Sequence, residues 1–87
     1  MITNTENSGT DLTPLPATRL GRYRHYKGGT YEVIGVARHS ETQEPLVIYR
    51  PLYNDSGLWA RPHAMFFGNL EIAGETVARF TPTDEIS

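Results

Sequence analysis

The sequence predicts a small all-β domain, a barrel or roll of five to six short strands. Two observations predict it. Runs rich in tyrosine, valine and isoleucine recur through the middle of the chain, as in "TYEVIGVARH" and "PLVIYRPLY", and such runs suit a pleated, half-buried surface. Turn residues punctuate them at "KGG", "NDSG" and Ala73-Gly74. With 87 residues the chain has room for one domain.

The first element is a tail. Residues 1–18 are Thr, Asn, Ser, Gly and Pro with isolated leucines, too little apolar area to offset ordering entropy. The folded domain is expected over residues 19–81, with a second flexible tail over 82–87. "RYRHY" is short, aromatic and alternating, and reads as a strand. "KGG" turns the chain, because Gly28 and Gly29 tolerate positive φ. "TYEVIGVARH" is the next strand. Strict alternation puts Tyr31, Val33, Gly35, Ala37 and His39 on one face, and Glu32, Ile34, Val36 and Arg38 on the other. Gly35 permits a bend or bulge there. After the loop "SETQE" comes "PLVIYRPLY", with Pro51 marking an edge or bulge near its end. "LWAR" is a short strand beyond the "NDSG" turn. "PHAMFF" begins with proline and stops before Gly68, so one helical or 3-10 turn is expected near Pro62–Phe67. "NLEIAGETVARF" reads as a terminal hairpin turning at Ala73-Gly74.

Composition narrows the function classes. The chain has no cysteine, which excludes disulfides, thiolate metal sites and a cysteine nucleophile, and fits a reducing cytoplasm. No secretory leader is read in "MITNTENSGT" and no apolar run is long enough to span a bilayer. The formal net charge of −2 argues against strong non-specific binding to nucleic acid. The charge is unevenly placed, however. Residues 19–67 hold seven Lys and Arg against four Asp and Glu, a net +3, while both ends are acidic. A mildly basic middle permits an anionic ligand there.

The run Gly21-x-Tyr23-x-His25-Tyr26-Lys27-Gly28-x-x-Tyr31 is followed by Val33-x-Gly35-x-Ala37-x-His39-Ser40-Glu41-Thr42. Then come Tyr49-x-x-Leu52-Tyr53 and Trp59-x-Arg61-Pro62-x-x-Met65-Phe66. In these motifs, over about residues 20–80, the chain resembles the bacterial family called domain of unknown function 1653. The resemblance implies an SH3-like barrel and implies no activity. Family members often carry glutamate after the Met-Phe pair and proline before the terminal Arg-Phe, where this chain has Phe67-Gly68 and Ala78.

Several side chains carry candidate chemistry. His39, Ser40 and Glu41 set a base, a hydroxyl and a carboxylate side by side. Neighbours in a strand point to opposite faces, triad partners come from separate segments, and no G-x-S-x-G elbow is present. The simpler reading is a hairpin loop whose Ser40 and Thr42 bond to local backbone, with ligand contact from the loop as a second. His25, His39 and His63 match no zinc spacing, so neither a metal nor a cofactor is expected. Of Tyr23, Tyr26, Tyr31, Tyr49, Tyr53 and Trp59, most should fill the core. Tyrosine and tryptophan also line grooves for peptides, cations and stacked bases. Tyr49 and Trp59 are the expected stacking residues, and Arg61 the expected anion partner. Arg22 and Arg24 share a strand face with Lys27 nearby, the charge pattern of a solvated edge strand. "GRYRHYKGG" lacks the spacing of a phosphate loop.

The expected function is a non-enzymatic binding or accessory module of the cytoplasm. His39, Ser40, Glu41, Tyr49, Trp59 and Arg61 would meet a small anionic ligand, a nucleotide or a peptide. One alternative is a small hydrolase or transferase using His39 and Glu41 as acid–base groups. Another is a structural protein–protein interaction module, which an exposed apolar patch would mark.

Overall fold

The computed structural model describes residues 14–83. The expected N-terminal tail lies outside the described residues up to residue 13, and the expected C-terminal tail does so from residue 84. Residues 14–20 form no helix or strand, yet they are tied down. The Thr18 hydroxyl donates to the Pro16 carbonyl at 2.9 Å and meets His63 Nε2 at 3.2 Å. The Tyr23 hydroxyl donates to the Arg19 carbonyl at 2.8 Å.

Strands β1 (Gly21–His25) and β2 (Gly28–Arg38) form the first hairpin, with Tyr23 opposite Tyr31. Gly28 and Gly29 follow its turn at φ 104° and 70°, a region costly for residues with a Cβ. Strand β3 (Pro45–Pro51) pairs antiparallel with β2. Val33 faces Tyr49 and Gly35 faces Ile48, so Ile34 is an extra residue in the ladder. This bulge beside Gly35 reverses the facing of everything after it. Val36, not Ala37, lies opposite the buried Val47. The strict alternation expected for this strand therefore holds for Tyr31 and Val33 and fails beyond them. Ile34 is left 45% exposed.

Strand β4 (Trp59–Pro62) adds to the free side of β3, and Pro62 leads into the four-residue helix α1 (His63–Phe66), within the expected Pro62–Phe67 span. Strands β5 (Asn69–Ile72) and β6 (Glu75–Ala78) form a separate two-stranded sheet. Their turn is at Ala73-Gly74, both with positive φ, 53° and 84°, as a tight two-residue hairpin turn requires. Strand β7 (Phe80–Pro82) leaves that hairpin and pairs with β1. The fold is all-β as expected, with seven strands among the described residues rather than five or six. The additional strand arises because the last run breaks at Arg79. There Arg79 N–H bonds the Gly68 carbonyl at 3.0 Å and Arg79 Nε the Met65 carbonyl at 3.0 Å. The main sheet has the order β4-β3-β2-β1-β7.

The core is mostly aromatic. Tyr23, Val33, Val47, Tyr49, Phe66 and Phe80 are its buried residues. Phe66 from α1 stacks on Phe80 from β7, with ring centroids 4.0 Å apart. Tyr23 and Tyr49 meet Phe66 edge-on at 5.5 and 5.3 Å, an arrangement the ring quadrupoles favour. A short helix and an end strand thus close one face of the sheet with large rings, so few residues suffice.

Candidate ligand-binding groove

Two concavities adjoin one another. The smaller, of about 260 Å³, is lined by Tyr31, Tyr49, Pro51, Tyr53, Asn54, Ser56, Trp59 and Arg61. The larger, of about 660 Å³, is lined by His25, Lys27, Gly28, Gly29, Thr30, Tyr31, Leu52 and Tyr53. They share Tyr31 and Tyr53, whose hydroxyls pair at 2.6 Å. Neither lining includes a carboxylate.

Local structure positions each side chain. Trp59 lies opposite Tyr49 in the β3–β4 ladder, and Arg61 opposite Val47, so both follow the inward face of β3. Trp59 stays 52% exposed and its ring is oriented. Its Nε1–H donates to Ser56 Oγ at 3.0 Å, and Ser56 N–H is held by Asn54 Oδ1 at 3.0 Å. Arg61 Nε–H points at the Tyr49 hydroxyl, 3.4 Å away. Tyr49 itself is only 5% exposed. Its ring belongs to the core, and it offers the groove a hydroxyl rather than a stacking face.

Tyr53 is 59% exposed and lies over Gly29, where a Cβ would come within 3.1 Å of its ring. Glycine there permits both the positive φ and the close approach of the ring. Tyr31 has its hydroxyl pKa pushed up to about 12, by burial first and then by the Tyr53 hydroxyl, with Arg61 opposing. It stays protonated and serves as a hydrogen-bonding wall. His25 is pushed below its ordinary value by burial first, then by Arg61, Arg79 and Lys27. Every charge named in that shift is positive.

The structure brings together three of the six residues expected at a site, Tyr49, Trp59 and Arg61. His39, Ser40 and Glu41 line neither concavity. They sit on the β2–β3 loop, at the far end of β2 from Gly28, about 30 Å of extended chain away. His39 Nδ1 accepts the N–H groups of Glu41 and Thr42 at 3.0 and 3.2 Å, and Thr42 Oγ1 accepts Glu44 N–H at 3.2 Å. With Nδ1 occupied as an acceptor, the neutral ring carries its proton on Nε2. That nitrogen then has no lone pair with which to deprotonate Ser40. His25 does the same at the first turn, accepting Lys27 N–H at 3.2 Å. Among the described residues no three His, Asp or Glu side chains form a metal-ligating group.

Sequence reasoning missed Tyr31, Tyr53, His25 and Lys27 as groove residues. The signal lies in register. Tyr31 opposes Pro51, and Leu52 N–H continues the ladder to the Thr30 carbonyl at 2.9 Å. Tyr53 is thereby delivered to Tyr31 and Gly29.

The profile described as "Protein of unknown function (DUF1653)" matches residues 21–82. The chain belongs to this family. A crystal structure of a DUF1653 protein from Bordetella bronchiseptica shares 32% identity with it, at a TM-score of 0.71, covering 80% of this chain and 92% of that one. Comparison with curated proteins gives no match. Of the motif residues that carry the DUF1653 resemblance, His25, Lys27, Gly28, Tyr31, Tyr49, Leu52, Tyr53, Trp59 and Arg61 line the two concavities, Tyr23, Val33 and Phe66 are buried in the core, and His39 to Thr42 belong to the β2–β3 loop.

Proposed function

We propose that this DUF1653 domain is a non-enzymatic binding module whose groove takes an anionic ligand bearing a flat ring, the chemistry of a nucleotide. Trp59 supplies the stacking face and Arg61 the positive charge, held in place by the Tyr49 hydroxyl. One observation carries the reading: an oriented, half-exposed tryptophan stands beside an arginine in a concavity without carboxylates. Base–aromatic stacking and charge pairing reinforce each other in such sites. The same absence of carboxylates disfavours a basic proline-rich peptide, which needs acidic partners. Of the expected site residues, His39, Ser40 and Glu41 play no part in this binding, because their loop is fastened through His39. The SH3-like barrel of the resemblance is the frame we assign to the five-stranded order, and the cytoplasm is the compartment we assign to a chain without cysteine.

An NMR titration of the ¹⁵N-labelled domain tests this. Adenosine monophosphate, inorganic phosphate and a proline-rich peptide would be added separately. Shifts centred on Trp59 and Arg61 with the nucleotide, weaker ones with phosphate and none with the peptide are expected. Response to the peptide alone would overturn the assignment.

A further inference from the structure

The two concavities are neighbours with one wall. That wall is the Tyr31–Tyr53 pair, and it contributes to both. Each side repeats the same chemistry. The smaller has Trp59 with Arg61. The larger has the His25 ring and Leu52 with Lys27, over a floor of Gly28 and Gly29 that carries no side chains. At about 660 Å³ the larger falls within the usual range of small-molecule sites, and at about 260 Å³ the smaller falls below it. A single ring on Trp59 would leave the larger concavity empty.

Resting on the nucleotide reading above, we propose that the two concavities are halves of one site, and that its ligand is two rings joined through phosphate. One ring stacks on Trp59 and the other sits between His25 and Leu52. The phosphate bridge crosses the hydroxyls of Tyr31 and Tyr53, between Arg61 and Lys27. Several features support this. Both hydroxyls lie at the crossing, where Tyr31 stays protonated and able to donate. A cation lines each side of the wall, Arg61 on one and Lys27 on the other. The chemistry is shared by a 5′–5′ dinucleotide and by two consecutive nucleotides of a single strand.

Four probes test the proposal against the unmodified domain: adenosine monophosphate, ApA, diadenosine 5′,5′-pyrophosphate and an eight-residue oligoadenylate. Trp59 fluorescence reports the smaller half, and the amide shifts of Gly28 and Gly29 report the larger. At least one two-ring probe should bind about tenfold or more tighter than the monophosphate, because the second ring binds intramolecularly, and should move both reporters. A further gain with the oligoadenylate identifies a strand as the source, and preference for the pyrophosphate identifies a small dinucleotide. Lys27 is exposed, so Lys27→Gln should fold normally and lose the two-ring advantage. Equal affinity for one and two rings, with Gly28 and Gly29 silent while Trp59 responds, would overturn the two-part site and leave the nucleotide reading standing. Equal weakening of both probe types by Lys27→Gln would also overturn it. Silence of both reporters with all four probes would overturn both readings.

Discussion

At the residue scale, two histidines close two turns by the same device. His25 and His39 each end or follow a strand, and each turns its Nδ1 back to accept an amide N–H two residues on. This is the geometry an aspartate or asparagine provides in an Asx turn. Because the loop is exposed, His39→Ala should cost only about 0.5–1 kcal/mol in urea unfolding, while His39→Asn should recover most of it. His25 is held below its ordinary pKa by burial and by Arg61, Arg79 and Lys27. Between its folded value and the unfolded value of about 6.5, the unfolded chain binds more protons. Its contribution to stability is therefore complete above about pH 6.5 and is lost as the pH falls through the folded value. NMR titration of the ring should give a pKa below 6.5, and Arg61→Gln should move it back up. Trp59 and Arg61 were legible in the sequence as an aromatic next to a cation. The histidine turns were not, because a ring nitrogen's role as acceptor depends on a turn geometry that composition does not display.

At the element scale, the bulge at Ile34 and the turn at Ala73-Gly74 decide how the strands face. The sequence shows where strands run, since Tyr, Val and Ile cluster there, and it marks Gly35 as a weak point. Which side each later residue faces depends on a single extra residue in the ladder, and a period-two reading cannot see it. The groove is hidden for the same reason. Tyr53 meets Tyr31 only when β3 is set against β2 in this register. Ala73 carries a side chain at φ 53°, where asparagine followed by glycine is preferred. Ala73→Asn should therefore stabilise the domain by about 0.5–1 kcal/mol. Thermal unfolding by circular dichroism would check it, and an unchanged or lower midpoint would contradict the turn geometry.

At the scale of the whole molecule, few residues do two jobs. A domain this small buries a modest share of its surface, and its core relies on Tyr23, Tyr49, Phe66 and Phe80. Tyr49 is both a core ring and the hydroxyl that meets Arg61. Tyr31 packs against the core and pairs with the exposed Tyr53. The sheet that carries the core thus also carries the candidate groove, whose cations Lys27 and Arg61 come from the basic middle of the chain.

In the proposed site Trp59 and Arg61 bind an anionic ring together. Trp59 is the sole tryptophan of the chain, so its fluorescence reports one side chain. The most direct measurement is a titration with adenosine monophosphate at low and at high salt, for the natural domain and for Arg61→Gln. Saturable quenching that weakens with salt, and weakens about tenfold or more in Arg61→Gln while circular dichroism stays unchanged, is the predicted result. Quenching that is absent, or indifferent to both salt and Arg61, would contradict it.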